Sequence, residues 1–359
     1  MKGIYSSFKI FHYPDKLSDL AGEKVSSPIH VRLKPTNRCN HRCKYCCYRN
    51  ESLYLSQLFS EKDEIPLNKM KQIIDDFKFI GVKAVTISGG GEPLLYPHLT
   101  EMVRRLSKNN IKVAVLTNGS LMNGEIADVL AEEASWVRIS MDAADADSYS
   151  RIRKVNLKEF DKVCSNIYEF AKKQNKRYQL GINFIVMREN HKDVYQFLKL
   201  MKKLGVNHVK VSESVMSVDT EENRKYHFSI IKSVKSQIKK AITDLSNSGF
   251  SIIDKVENFN KKDDSYNKTY NWCPFIQCLT VIGADLNVYS CHDKAYTNKG
   301  KLGSIKKKSF RDFWFSDKGK EKLLKLDPSK DCNHHCTQHG KNLMLLDYFC
   351  LDKNHLDFI

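Results

Sequence analysis

Thr36-Asn37-Arg38-Cys39-Asn40-His41-Arg42-Cys43-Lys44-Tyr45-Cys46 sets three cysteines at C-x3-C-x2-C. The run before it, Ile29-His30-Val31-Arg32-Leu33, reads as a strand that Pro35 ends. Three thiolates on one loop can hold three corners of an iron–sulfur cube. The fourth iron then stays open for a substrate or cofactor. A zinc knuckle is the alternative, since zinc takes four ligands and His41 or Cys47 can supply the fourth.

Downstream the pattern alternates. Leu67, Met70, Ile73, Ile74, Phe77 and Ile80 recur every three or four residues, which predicts a helix over 67–80 stopped by Gly81. Residues 84–88, 113–117, 136–140, 180–186 and 208–212 read as further strands. Helices are expected from about Pro97, over 124–134, near 159–174 and after Asn190, a good N-cap, with Gly205 ending the last. Such alternation means βαβ units and a parallel sheet. Six units fit either a partial (β/α)6 barrel or an open doubly wound sheet. Beyond them, Ile231, Val234, Ile238, Ala241, Ile242 and Leu245 mark one long helix, and the polar stretch 255–272 reads as a loop. Gly283 and Gly303 fall at expected turns in a cysteine-rich C-terminal region. The expected division is a lead-in over 1–28, a barrel over 29–215, a helical linker over 216–272 and a small module over 273–359.

The 359 residues, 41% apolar and 28% charged, describe a soluble globular chain. No apolar run reaches the roughly 20 residues of a membrane span, and the N-terminus lacks a signal-peptide core. A cytoplasmic location is expected. Eleven cysteines clustered at 39–47, 273–291 and 332–350 then argue for metal rather than disulfides. The net charge of +17 attracts anions, or reflects only a lysine-rich surface.

Gly89-Gly90-Gly91-Glu92 ends the second strand, at the edge where barrel enzymes place their sites. Glycines there let backbone approach a ligand closely. Together, C-x3-C-x-Tyr45-Cys46 and this motif resemble the radical S-adenosylmethionine (SAM) enzymes. The resemblance implies a partial (β/α)6 TIM-type barrel and a [4Fe–4S] cluster on Cys39, Cys43 and Cys46 whose open iron binds SAM. One electron then cleaves SAM to a 5′-deoxyadenosyl radical. It implies Gly90, Gly91 and Glu92 at the SAM amino group, Ser140 and Asp142 facing ribose or substrate, and Arg153 on the SAM carboxylate. Asn183 and the backbone near 211–213 are implied for ribose and adenine. Ala143 stands where many relatives have glycine.

Trp272-Cys273-x4-Cys278, Cys291 after a hairpin, Leu302-Gly303, Trp314 and Cys332-x3-Cys336 resemble the SPASM/twitch extension, a small cysteine-rich iron–sulfur module. The full C-x2-C-x5 segment of that pattern is missing. By the resemblance Cys273, Cys278, Cys291 and one of Cys332 or Cys336 hold a single auxiliary [4Fe–4S] cluster, with Cys336 the expected fourth ligand. A structural zinc module is the alternative. Cys164 reads as a small apolar residue, and Cys47 as inert or as lining the site. His334, His335 and His339 read as outer groups or plain surface.

The expected reaction is hydrogen abstraction leading to oxidation, or a related modification, of a small anionic substrate such as a nucleotide-linked sugar. Cys47 and Asp142 are the weak catalytic candidates. Expected partners are that substrate and a reductant such as flavodoxin or ferredoxin, with neither membrane nor nucleic acid. A peptide- or protein-modifying maturase is the first alternative, although 1–28 is short for a leader-binding domain. A non-catalytic, metal-stabilised nucleic-acid-binding protein is the second.

Overall fold

The computed structural model describes residues 5–173, 179–256 and 266–358. One sheet runs through it. Its parallel strands are β1 (His30–Leu33), β2 (Ala84–Ile87), β3 (Lys112–Thr117), β4 (Ala134–Ser140), β5 (Gln179–Val186), β6 (His208–Glu213) and β7 (Ser251–Lys255), each paired to the next. On the other side of β1 lie β8 (Leu279–Ile282), β9 (Asn287–Tyr289) and β10 (Lys301–Ser304). β8 pairs parallel to β1, and β9 and β10 follow antiparallel.

The helices are α1 (Pro14–Ala21), α2 (Leu67–Ile80), α3 (Leu99–Lys108), α4 (Gly124–Glu133), α5 (Ala146–Arg153), α6 (Lys158–Lys172), α7 (Val194–Lys203) and α8 (Thr220–Leu245), then α9 (Phe310–Phe315), α10 (Asp317–Leu324), α11 (Pro328–Asp331) and α12 (His339–Phe349). α2 forms where its periodicity places it. Met70, Ile73, Ile74 and Phe77 are buried, and Gly81 at φ +82° turns the chain out in a conformation that favours glycine. The apolar faces of β1–β6 and their helices make one core, so the parallel α/β barrel and the cysteine-rich C-terminal region are as expected.

Several expectations need correction. The stretch 216–272 is not only a helical linker: α8 crosses over to β7, which pairs parallel to β6 as a seventh unit. β7 is an edge strand with two exposed residues, so it lacks the apolar run that marks a buried strand. The loop expected over 255–272 falls largely outside the described residues. Asn190 does not cap α7. Asp193 takes that position, while Asn190 Nδ2 donates to the carbonyls of Asp142 and Ile185, both at 2.8 Å. Gly303 lies within β10 rather than at a turn, and a Cβ there would meet the Phe313 ring at 2.3 Å. The lead-in holds α1, whose Leu17 and Leu20 pack with Ile10, Cys278 and Leu345. Among the described residues no helix is long and apolar enough to cross a membrane.

Candidate active site and auxiliary metal pocket

The cysteine loop is fastened on three sides. The Arg42 and Lys44 amides donate to the carbonyls of Arg153 and Ile152, each at 3.0 Å, which lays the loop on the end of α5. The Tyr296 hydroxyl, from the C-terminal region, donates to Asn37 Oδ1 at 2.6 Å. The third side is the glycine-rich turn. The Gly91 amide donates to the Thr36 carbonyl at 3.3 Å and the Glu92 amide to the Arg38 carbonyl at 2.7 Å. A Cβ on Gly91 would lie 2.0 Å from the Arg38 carbonyl oxygen, and one on Gly90 2.1 Å from Asn37 Oδ1. Glycine is needed here for close approach of two backbones.

Gly91→Ala is therefore expected to lower stability by about 1–3 kcal/mol, because rigid backbone would have to move. Gly340→Ala, where an added Cβ meets nothing within 4 Å, is expected to be neutral or slightly stabilising. Urea denaturation of both variants checks the contrast.

Cys39, Cys43 and Cys46 line one cavity of about 530 Å³ together with Gly89, Gly90, Gly91, Glu92, Ser140 and Arg153. Cys47 lines it as well, its thiol pushed up to about 12 by burial and the neighbouring Cys46. Glu92 is buried. Its carboxylate accepts from the Thr117 hydroxyl at 2.6 Å and from the amides of Asn118 at 2.7 Å and Leu94 at 3.0 Å. Burial raises its pKa to about 7, and those three donors hold it from rising further.

Asp142 is placed differently from the expectation. It is fully buried and is not among the cavity-lining residues. Its Oδ2 accepts from the Tyr45 hydroxyl at 2.6 Å and pairs with Arg153 Nη2 at 2.5 Å, and its Oδ1 accepts from the Ile185 amide at 2.8 Å. With both oxygens taken, it holds the cysteine loop rather than facing substrate. Arg153 is 2% exposed, and its Nη1 lies 3.5 Å from Cys43 Sγ. Asn183 is also outside the cavity lining, and its buried Oδ1 has no hydrogen-bond partner among the described residues.

The second pocket gathers Cys273, Cys291, Cys332 and Cys336. Burial, then neighbouring Cys291 and Cys332, pushes the Cys273 thiol up to about 12. Burial, with Asp293 and Cys273 adding, does the same for Cys336. Four bare thiolates are unfavourable here, so the site fits a cationic metal centre. Cys278 is not among them. The turn Pro274–Gln277 carries it to the other face, where it is buried with Ile10, Leu17, Leu20 and Leu345, its thiol near the charges of Lys16 and Lys341. Cys332 and Cys336 both enter the pocket, whereas the sequence pattern chose between them.

Spacing bears on zinc. Tetrahedral zinc–sulfur bonds put sulfurs about 3.8 Å apart. Among the described residues neither cysteine set forms a group with all ligand atoms within 4.8 Å. His41 Nε2 is 3.4 Å from Glu159. One compact group does exist: Cys291, Asp293 and His334. Asp293, His292 and His334 also line the first cavity, and His334 lines the second pocket as well. The Thr337 amide and hydroxyl donate to Asp293 Oδ2 at 2.9 and 2.8 Å. Sequence reasoning missed Asp293 and His292. Their adjacency to Cys291 was the available signal.

Residues 33–201 match the family model "Radical SAM superfamily". The "tungsten-containing aldehyde ferredoxin oxidoreductase cofactor-modifying protein" of Pyrococcus furiosus is 23% identical over 313 residues, 80% of this chain and 81% of that protein. A GTP 3′,8-cyclase of Lactiplantibacillus plantarum is 32% identical over 180 residues, so the chain spans 52% of its length. In fold, Streptococcus suis SuiB bound to precursor peptide SuiA is similar over 95% of this chain and 79% of its own, with TM-score 0.64 and 15% identity. The protein anSMEcpe with bound AdoMet is similar over 92% and 100%, with TM-score 0.58 and 18% identity. Residues 33–201 are therefore a radical SAM domain, for which a [4Fe–4S] cluster and SAM are the cofactors, and the chain as a whole has a fold similar to those of SuiB and anSMEcpe.

Proposed function

We propose that the protein cleaves SAM reductively and abstracts hydrogen from a small anionic substrate, with oxidation as the net outcome. The observation that carries this is one cavity lined on one side by the three-cysteine loop and on another by His292, Asp293 and His334. Its volume of about 530 Å³ lies in the ordinary range for small-molecule sites, roughly 300–1,000 Å³. When bound, the SAM cluster supplies a carbon-centred radical and an auxiliary cluster an electron acceptor. Cys39, Cys43 and Cys46 hold the first cluster. Gly90, Gly91 and Glu92 let SAM lie close against backbone, and Ser140 lines the same wall. Cys273, Cys291, Cys332 and Cys336 hold the second cluster and fill all its corners, so substrate finds no open iron there. Asp293, beside Cys291 and facing the cavity, takes the proton that leaves as a substrate hydroxyl becomes a carbonyl. The similarity to GTP 3′,8-cyclases, which act on a nucleotide, supports a nucleotide-like anion. SuiB with its precursor peptide suggests a peptide substrate, but at 15% identity that likeness carries the fold alone.

Anaerobically reconstituted protein is expected to hold about eight irons per chain and to form 5′-deoxyadenosine from SAM with dithionite. Cys332→Ala should fall to about four irons while Cys278→Ala keeps about eight. Zinc in place of iron, or no 5′-deoxyadenosine, would defeat the reading. Iron lost from Cys278→Ala instead would restore the ligand set expected from sequence.

A further inference from the structure

Barrel interiors of this class are usually packed with branched apolar side chains. This one is not. Arg32 on β1, Lys34 just past its end and Lys210 on β6 line the cavity. Arg138 on β4 lies close enough that its positive charge depresses the pKa of both Arg32 and Lys210. Lys34 is 3% exposed. Its ammonium donates to the Tyr48 hydroxyl at 2.6 Å and the Gly89 carbonyl at 3.1 Å, and has no carboxylate partner among the described residues. Neither Arg32, Arg138 nor Lys210 has an ion pair or a side-chain hydrogen bond among the described residues, and Arg32 Nε is a buried donor without an acceptor. By contrast, the other cavity arginines, Arg49 and Arg153, are paired with Glu61 and Asp142.

Buried cations are costly unless paired. Lys34 is buried and Arg32 and Lys210 are half-buried, so three cations converging on one cavity with no anionic partner among the described residues make a binding site for negative charge brought by a ligand. Burial, with Arg32 adding, pulls Lys34 down to about 7, and burial, then Arg138, pulls Lys210 to about 8. A bound anion reverses both effects. We propose that Arg32, Lys34 and Lys210 form an anion subsite for a phosphate or pyrophosphate group of the substrate. A single carboxylate would answer one of these cations; a multiply charged phosphoryl group answers all of them, and arginine suits its oxygens. Lys34 also feels the charge of Cys46 and Cys47, and Arg32 that of Asp293. This rests on the small-anion reading above and names its substrate class.

The test is calorimetric titration of inorganic pyrophosphate, and separately of SAM, into the anaerobically reconstituted full chain. Wild type should bind pyrophosphate saturably. Arg32→Gln and Lys210→Gln should each weaken it about tenfold or more relative to SAM, with Lys210→Arg recovering part. Lys318→Gln, an exposed lysine on α10, should leave it unchanged. Absence of saturable binding to wild type overturns the subsite. Equal weakening by Lys318→Gln reduces it to surface attraction and overturns it too. Parallel loss of SAM and pyrophosphate affinity assigns the cations to SAM instead. Succinate bound as tightly as pyrophosphate rejects the phosphoryl class. Iron content and circular dichroism identify an unfolded variant, and the two glutamine variants lie on separate strands, so one can stand for the other. Formation of 5′-deoxyadenosine by wild type is scored independently, so the subsite can fail while the SAM chemistry stands.

Discussion

Cys43→Ala protein, reconstituted without oxygen, is expected to form no 5′-deoxyadenosine above background and to hold about four irons instead of eight. Losing an outer partner of a metal ligand costs roughly 10–100-fold, and losing the ligand costs more. Cys43 is the thiol against which Arg153 lies, at 3.5 Å. That guanidinium hydrogen-bonds the sulfur and offsets its charge. Arg153→Gln should therefore keep some cluster and lose about 10–100-fold in rate, between wild type and Cys43→Ala. Iron analysis with product chromatography checks the order. Product from Cys43→Ala at the wild-type rate contradicts the assignment of the loop.

Asp142→Ala is expected to destabilise the barrel by about 3–5 kcal/mol, the scale for removing one partner of a buried ion pair. Arg153, 2% exposed, is left with an unanswered charge. The Tyr45 hydroxyl and the Ile185 amide lose their acceptor as well. Asp142→Asn keeps an acceptor and should lose less. The urea midpoint of each variant measures this. A loss below about 1 kcal/mol, the value of an exposed pair, would show that Asp142 does not hold the loop.

The alternating core was legible because buried strands and amphipathic helices repeat at different periods, as α2 shows. That Cys39, Cys43 and Cys46 come together in one cavity was legible because their spacing is local. What stayed hidden depends on contacts distant in sequence. Nothing near Asp142 announces that Tyr45, 97 positions away, donates to it. The direction of Cys278 is set by one turn, Pro274–Gln277, and a cysteine's spacing does not say which face it takes. The lumen cations had a readable signal. His30, Arg32 and Lys34 alternate with Val31 and Leu33 along β1 and into the residue after it, so the three polar residues share one face of the extended chain. β7 lacked any such pattern, since two of its five residues are exposed.

β1 is shared by two structures that the chain encodes almost 250 residues apart: His30–Leu33 pairs with β2 on one side and with Leu279–Ile282 on the other. Truncation after residue 272 would strip one side of that strand and leave a row of open peptide groups beside the cysteine loop. Such an edge is a template for pairing with another copy. A shortened protein should then aggregate during refolding and take up iron poorly, although Cys39, Cys43 and Cys46 are all still present. The barrel and its cysteine-rich neighbour are in this sense one cooperative folding unit.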